Sequence, residues 1–203
     1  MLIRGKAMIK SLYFMLGDTF LQNISKVLII TIPLYLIFLI FKFFSKKNTK
    51  IKISKSIGEF IFLGYIVAVL VVTDIILIRT SDFSMFYEYG SRTIETTFKG
   101  IMINPSLEQV LVTLELGLNN VLLFIPFGIL FPLICLNSQK RFLKTMLWAL
   151  IFGISIEALQ TLSGTFNHID DILWNMLGVI VGYGFYMLAN KLFKIYTPFN
   201  HNN

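Results

Sequence analysis

The sequence places carboxylate and amide side chains inside strongly apolar segments near its C-terminal end. The stretch 166–175, FNHIDDILWN, sets two adjacent acids and a histidine at the start of the last apolar segment, and SIEALQ closes the apolar segment before it. An acid at the centre of a membrane span costs a few kcal/mol, so polar groups placed this way are candidates for function. Two such carboxylates could act as general acid and base, or they could bind a polar ligand.

Helical spacing gathers these candidates onto two faces. One face of the segment before last combines two glycines with two polar residues, namely Gly153, Glu157, Gln160 and Gly164. The last segment repeats this pattern with Asp171, Asn175, Gly178 and Gly182. Residues three or four apart lie on the same side of a helix, and small residues allow helices to approach closely in lipid. The spacing predicts that these two helices pack together, with Gly178 and Gly182 against the helix that carries Glu157.

An earlier segment, NNVLLFIPFG, supplies a third set of candidates. Asn119 and Asn120 stand at its start, and Pro126 and Gly128 follow about 10 Å further along a helix that rises about 1.5 Å per residue. Pro126 has no backbone N–H to donate to the Leu122 carbonyl, which leaves an acceptor within the span. The expected ligand-binding residues are therefore Asn120, Pro126, Glu157, Gln160, His168, Asp170, Asp171 and Asn175, with Gly128 added to the packing glycines.

Structural alternatives remain open for the charged candidates. Asp170 can stabilise the start of the last helix, with Asn167 as its N-cap. Glu157 can be protonated and hydrogen-bonded to Gln160 or Asn175. His168 fits an ordinary loop residue, and no HExxH or similar pairing supports a metal site, so we expect neither a metal nor a cofactor.

The composition indicates which kind of structure positions these residues. Hydrophobic residues make up 56% and charged residues 14% of the 203, far from the roughly 25% charged residues of soluble domains. We therefore predict an all-α integral membrane protein, and its net charge of +7 is better explained by topology and anionic lipid than by nucleic acid. Five apolar runs are near the ~20 residues that a span requires: 27–44, 57–78, 118–136, 143–162 and 171–189.

Charge at the span ends predicts the orientation. The connection KFFSKKNTKIKISKS holds six lysines between positions 42 and 55 and no acid, which favours the cytoplasm. Alternation then puts the acid-containing loop 79–117, the stretch 163–170 and the N-terminus outside, and the C-terminus inside. Glu157 and Asp171, in the last two segments, would consequently lie in the outer leaflet.

Two further segments are predicted to be amphipathic. SLEQVLVTLELGL, residues 106–118, begins with a capping box of Ser106 and Gln109, and its leucines recur at helical spacing, which predicts a helix on the outer surface. Segment 8–21 either lies on the surface as well or enters the bilayer. We divide the chain into 1–56, with this segment, the first span and the basic loop, and 57–203, with the remaining four spans.

The motifs NVLLFIPFGIL, SIEALQ and IDDILWNMLGVIVGY, in this order, resemble the VanZ-like family of bacterial membrane proteins over residues 80–190. The matching positions are Asn120, Pro126, Gly128, Glu157, Gln160, Asp171, Asn175 and Gly178. The chain departs from the family at GTFNHIDD, where Thr165 and His168 stand in place of a frequent arginine and acid. Thr cannot replace Arg as an anion binder, so a mechanism that needs a guanidinium is not supported here.

The resemblance implies a cell-envelope role, including lower susceptibility to the lipoglycopeptide teicoplanin. The favoured hypothesis is a non-enzymatic protein whose outer-leaflet polar cavity binds membrane lipid, a lipid-linked envelope precursor or the lipoglycopeptide. The alternative is an intramembrane enzyme acting on a lipid or lipid-linked substrate, with Glu157 or Asp171 as catalytic acid or base. Against the enzyme, the sequence has no convincing nucleophile, because Ser155 points about 200° away from Glu157 around the helix.

Overall fold

A computed structural model of the protein describes residues 20–45, 53–73, 75, 102–103, 106–134, 140–162 and 170–193. Five long helices account for most of them: α1 (Phe20–Ser45), α2 (Ile53–Val72), α3 (Leu107–Ile134), α4 (Arg141–Leu162) and α5 (Asp171–Phe193). Each is long and apolar enough to cross a membrane. The all-α class and the five spans are confirmed, and the described residues contain no strand.

Successive helices run in alternating directions, so the bundle has two distinct ends. We call the "carboxylate end" the one formed by the first turns of α3, the last turns of α4 and the first turns of α5. The "basic end" is the opposite one, where α1 meets α2 through an ion pair of 2.6 Å between Lys42 and Glu59. At this basic end Arg141 also donates a hydrogen bond of 2.6 Å to the Tyr186 hydroxyl, which joins α4 to α5.

Helix α3 is the central element, because it packs against α2, α4 and α5. Its 28 residues span about 42 Å, longer than the ~30 Å hydrocarbon core of a bilayer. Segment 106–118 is helical as predicted, and Ser106 Oγ accepts from the Gln109 N–H at 3.2 Å at its start. It is not a separate surface helix, however: it continues into the third span without interruption.

The packing of the glycines differs from the sequence prediction. Helices α3 and α5 run parallel and share the most extensive contact of the bundle. A Cβ atom at Gly178 would overlap the Val121 carbonyl oxygen, and one at Gly182 would overlap that of Ile125. The prediction that these glycines lie against α4 was therefore wrong. The spacing of the glycines could not identify the partner helix, because α3 also carries a small residue, Gly128. This glycine meets Gly182 in the contact surface between α3 and α5, which we call the seam.

Aromatic side chains fill the space between α2, α3 and α4. Phe124 and Phe127 are almost fully buried, and Phe62 and Phe152 pack against them from the neighbouring helices. Tyr65 on α2 donates its hydroxyl to the Leu123 carbonyl at 2.9 Å. This bond falls one residue from the Leu122 carbonyl that Pro126 leaves without its usual donor, so a side chain from α2 supports α3 where its backbone pairing is weakened.

Helix α1 is peripheral and packs chiefly against α2. Its Tyr35 hydroxyl donates to the Ser56 carbonyl at 2.6 Å, and Thr31 lies beside Gly64. Most of its large apolar side chains are exposed, as expected for a helix that faces lipid on its remaining sides.

Candidate functional site

The antiparallel register of α4 and α5 sets Glu157 level with Asp171. The Asn175 amide nitrogen lies 3.6 Å from the position that a Cβ atom of Gly153 would occupy, which fixes these two residues at one level. Glu157 is one turn from Gly153 and Asp171 is one turn from Asn175, in both cases toward the carboxylate end. The two carboxylates that the sequence singled out are therefore brought to the same depth on neighbouring helices.

Buried polar side chains concentrate at this end of the bundle. Among the described residues, six polar or charged side chains are buried, and four belong to the carboxylate end: Thr113, Glu157, Asp170 and Asn175. Glu157 is only 7% exposed and Asn175 only 3%. Transfer of such groups from water is unfavourable unless partners compensate, so their concentration at one place marks a candidate site.

Sequence reasoning missed Thr113, which is 2% exposed on α3. The contacts of Gly117 with Trp174, Val121 with Gly178 and Ile125 with Gly182 each join residues 57 positions apart. The same offset sets Thr113 level with Asp170. The available signal in the sequence was that Thr113 is four residues before Gly117. This spacing became informative only when segment 106–118 was known to be part of α3.

Asp170 occupies the N-cap position of α5. Its carbonyl oxygen accepts from the N–H groups of Leu173 at 2.9 Å and Trp174 at 3.2 Å, and the helix begins at the next residue. The N-cap is therefore Asp170 itself, whereas the sequence had left Asn167 open as the cap. Asp170 is itself one of the residue types preferred at this position, and its negative charge is favourable at a helix N-terminus. Asn167, His168 and Gly164 lie outside the described residues.

The structure brings some predicted site residues together and separates others. Gln160 is half-buried on α4, one turn beyond Glu157. Pro126 is close to the level of Gly182, about 16 Å from Asp171 along α5, so it does not reach the carboxylates. Asn120 is half-buried at an intermediate level, because the helix begins at Leu107, about three turns before the predicted start of the span. Thr113 occupies the level at which Asn120 was expected.

The described helix portions of this end, in α3, α4 and α5, carry acids and no basic residue. Asp170 and Asp171 are close enough to Glu157 to act on its charge electrostatically. Within the described residues, no three His, Cys, Asp or Glu side chains converge as a metal site requires. The Asn175 Oδ1 atom is buried, and no donor among the described residues reaches it. The arrangement thus offers carboxylates near the end of the bundle and an amide oxygen one turn deeper.

Together, the five alternating apolar helices define a multi-pass helical membrane protein with a polar site at one end. A family model described as VanZ/LLP1 matches residues 8–190, nearly the whole chain. The chain belongs to this family, and the match extends well beyond residues 80–190, where the motifs lie. The comparison with curated proteins and the comparison with solved structures each gave no significant match.

Proposed function

We propose that this VanZ-like protein resides in the cell membrane and binds the polar part of a lipid-linked or amphiphilic molecule at its carboxylate end. In doing so, it lowers susceptibility to glycopeptide antibiotics such as teicoplanin. One observation carries the proposal: Glu157 is buried in an apolar bundle, level with Asp171 and one turn from the buried Asn175. A bundle that needed only apolar packing would have little reason to keep these groups.

The orientation supports this role. The lysine-rich connection between α1 and α2 favours the cytoplasm, and the alternating helices then put the carboxylate end in the outer leaflet. A lipoglycopeptide with an acyl chain acts at the outer face, as do lipid-linked envelope precursors once they are exported. The polar site and its proposed ligands would therefore share one compartment.

The test compares wild-type protein with Glu157→Gln and Asp171→Asn in bacterial cells that lack their own copy. Both substitutions keep the size and much of the hydrogen bonding of the side chain and remove its charge. We expect each variant to remain inserted and abundant by immunoblot, while the inhibitory concentration of teicoplanin falls to that of cells without the protein.

Asp170→Asn is the matched control, because asparagine is as good an N-cap as aspartate. It should leave tolerance near the wild-type level. If both Glu157→Gln and Asp171→Asn retain full tolerance, the carboxylates are packing elements and the proposed site is wrong.

An intramembrane enzyme is the second candidate function. It is favoured because Glu157 and Asp171 lie at the same depth on facing helices. Such a pair can hold one protonated and one ionised group, as general acid–base catalysis requires. Ser155 is not their nucleophile, because it is exposed and donates its hydroxyl to the Ile151 carbonyl at 2.8 Å. Lipid extracts that contain a new species with the wild type and lack it with Glu157→Gln would favour the enzyme over the binding protein.

A further inference from the structure

We propose that the carboxylate end recognises a protonated primary amine on an amphiphilic molecule, an inference that rests on the proposed binding function and specifies the chemistry of the ligand. The first observation is the sign of the charge. The helix portions that form this end, residues 107–118, 153–162 and 170–182, contain no Lys, Arg or His. Their acids are Glu108, Glu115, Glu157, Asp170 and Asp171.

The second observation is the buried amide of Asn175. Its side chain lies between α5 and α4 at the level of Gly153, one turn below the level of Glu157 and Asp171. The residue is 3% exposed, and its Oδ1 atom receives no hydrogen bond from the described residues. A buried acceptor without a donor is unfavourable, so a ligand that donates a hydrogen bond to Asn175 Oδ1 gains a bond that the described residues do not supply.

These two observations define what the ligand must carry. A primary ammonium group has a positive charge, three N–H donors and no acceptor, which suits carboxylates above and an amide oxygen below. Charge-assisted hydrogen bonds are roughly twice as strong as neutral ones, and the apolar surroundings strengthen the attraction further. A quaternary ammonium has the charge without the donors, and an alcohol has a donor without the charge, so each should bind less well.

Trp174 provides a reporter next to the site. It precedes Asn175 on α5, and its indole ring occupies the space beside Gly117 on α3. The chain has two tryptophans, and the other, Trp148, is 53% exposed on α4. A Trp148→Phe background therefore leaves one indole, whose fluorescence responds to a ligand that enters between α3, α4 and α5.

The experiment uses the full chain in phosphatidylcholine nanodiscs at pH 7 and three probes with the same alkyl tail: dodecylammonium, dodecyltrimethylammonium and dodecanol. We expect a saturable change in Trp174 fluorescence with dodecylammonium, and affinity roughly tenfold or more lower for the other two, which corresponds to about 1.4 kcal/mol. Glu157→Gln and Asn175→Leu should each weaken dodecylammonium binding. Glu59→Gln, the same change at the basic end of the bundle, should not.

A second arm separates two sources of the amine. If phosphatidylethanolamine added to the nanodiscs competes with dodecylammonium, the natural ligand is an amine of a lipid headgroup. If it does not compete, the ligand is an amphiphile that enters from solution.

Equal affinity for all three probes, or binding that Glu157→Gln leaves unchanged, would overturn the amine proposal. The tolerance assay then distinguishes its failure from that of the proposed function. If Glu157→Gln still abolishes teicoplanin tolerance, the site binds a ligand of different chemistry. If tolerance also survives, both proposals fail.

Discussion

At the scale of single residues, the carboxylate end shows how two adjacent acids can serve different purposes. Asp170 and Asp171 are adjacent, yet the first occupies the N-cap of α5 and the second begins the helix on the face that carries Asn175. Successive residues of a helix point about 100° apart, so one acid can stabilise the helix start while its neighbour contributes to the site.

Substitution of Asp170 separates the capping role from the charge. We expect Asp170→Ala to lower the free energy of unfolding by about 1 kcal/mol, because the helix loses its N-cap side chain, whereas Asp170→Asn should stay near wild type. Thermal unfolding of the purified protein in detergent measures both. Equal melting temperatures for the alanine variant and the wild type would show that the side chain of Asp170 does not cap α5.

At the scale of the helices, α3 and α5 form the tightest pair, because glycines let their backbones approach. Gly128 and Gly182 meet across the seam, and Gly178 lies against the Val121 carbonyl. This contact pairs residues of α3 and α5 that are 57 positions apart in the sequence, and it thereby brings Thr113 level with Asp170. The seam between two parallel helices therefore determines the depth of polar groups on both.

Two glycines of α5 provide a matched test of this seam. A Cβ at Gly178 overlaps backbone of α3, which cannot move aside as a side chain can, whereas nothing lies within 4 Å of a Cβ at Gly184. We expect Gly178→Ala to cost about 1–3 kcal/mol, as overpacking usually does. Gly184→Ala should be neutral or slightly stabilising, because alanine favours helix by up to about 1 kcal/mol.

The measurement is the melting temperature and the abundance of each variant in membranes. Gly178→Leu should go further and prevent accumulation. If Gly178→Ala and Gly184→Ala behave alike, residue 178 faces lipid rather than α3.

At the scale of the whole molecule, the five alternating spans separate a basic end from a carboxylate end. Lys140, Arg141 and Lys144 stand at the same end as the Lys42–Glu59 ion pair, whereas the acids of the site lie at the other. Lysine and arginine favour the cytoplasmic side, so this asymmetry predicts a cytoplasmic basic end, although Lys26 near the start of α1 lies toward the opposite end.

Cysteine labelling tests this orientation. In a Cys135→Ser background, we expect cysteines at Lys50 and Lys140 to be protected from a membrane-impermeant thiol reagent in intact cells, and a cysteine at Glu95 to react. All three should react after the membrane is permeabilised, which controls for accessibility. Labelling of position 50 in intact cells would reverse the orientation and move the site to the inner leaflet.

The sequence by itself determined the membrane class, the number of spans and two of the faces that form the site. These follow from local properties: span length depends on bilayer thickness, and residues three or four apart share a helix face whatever surrounds them. The same spacing grouped Glu157 with Gly153 and Asp171 with Asn175 before any packing was known.

Only the tertiary structure decided which helices pair and at what depth. It joined segment 106–118 to α3 and placed the Trp174 indole in the space beside Gly117. It also placed Gly178 and Gly182 against α3 instead of α4, and it put Thr113 rather than Pro126 near the carboxylates. Glycine spacing shows that some helix approaches closely, but the partner depends on complementary surfaces distant in sequence, and a single helix carries no information about them.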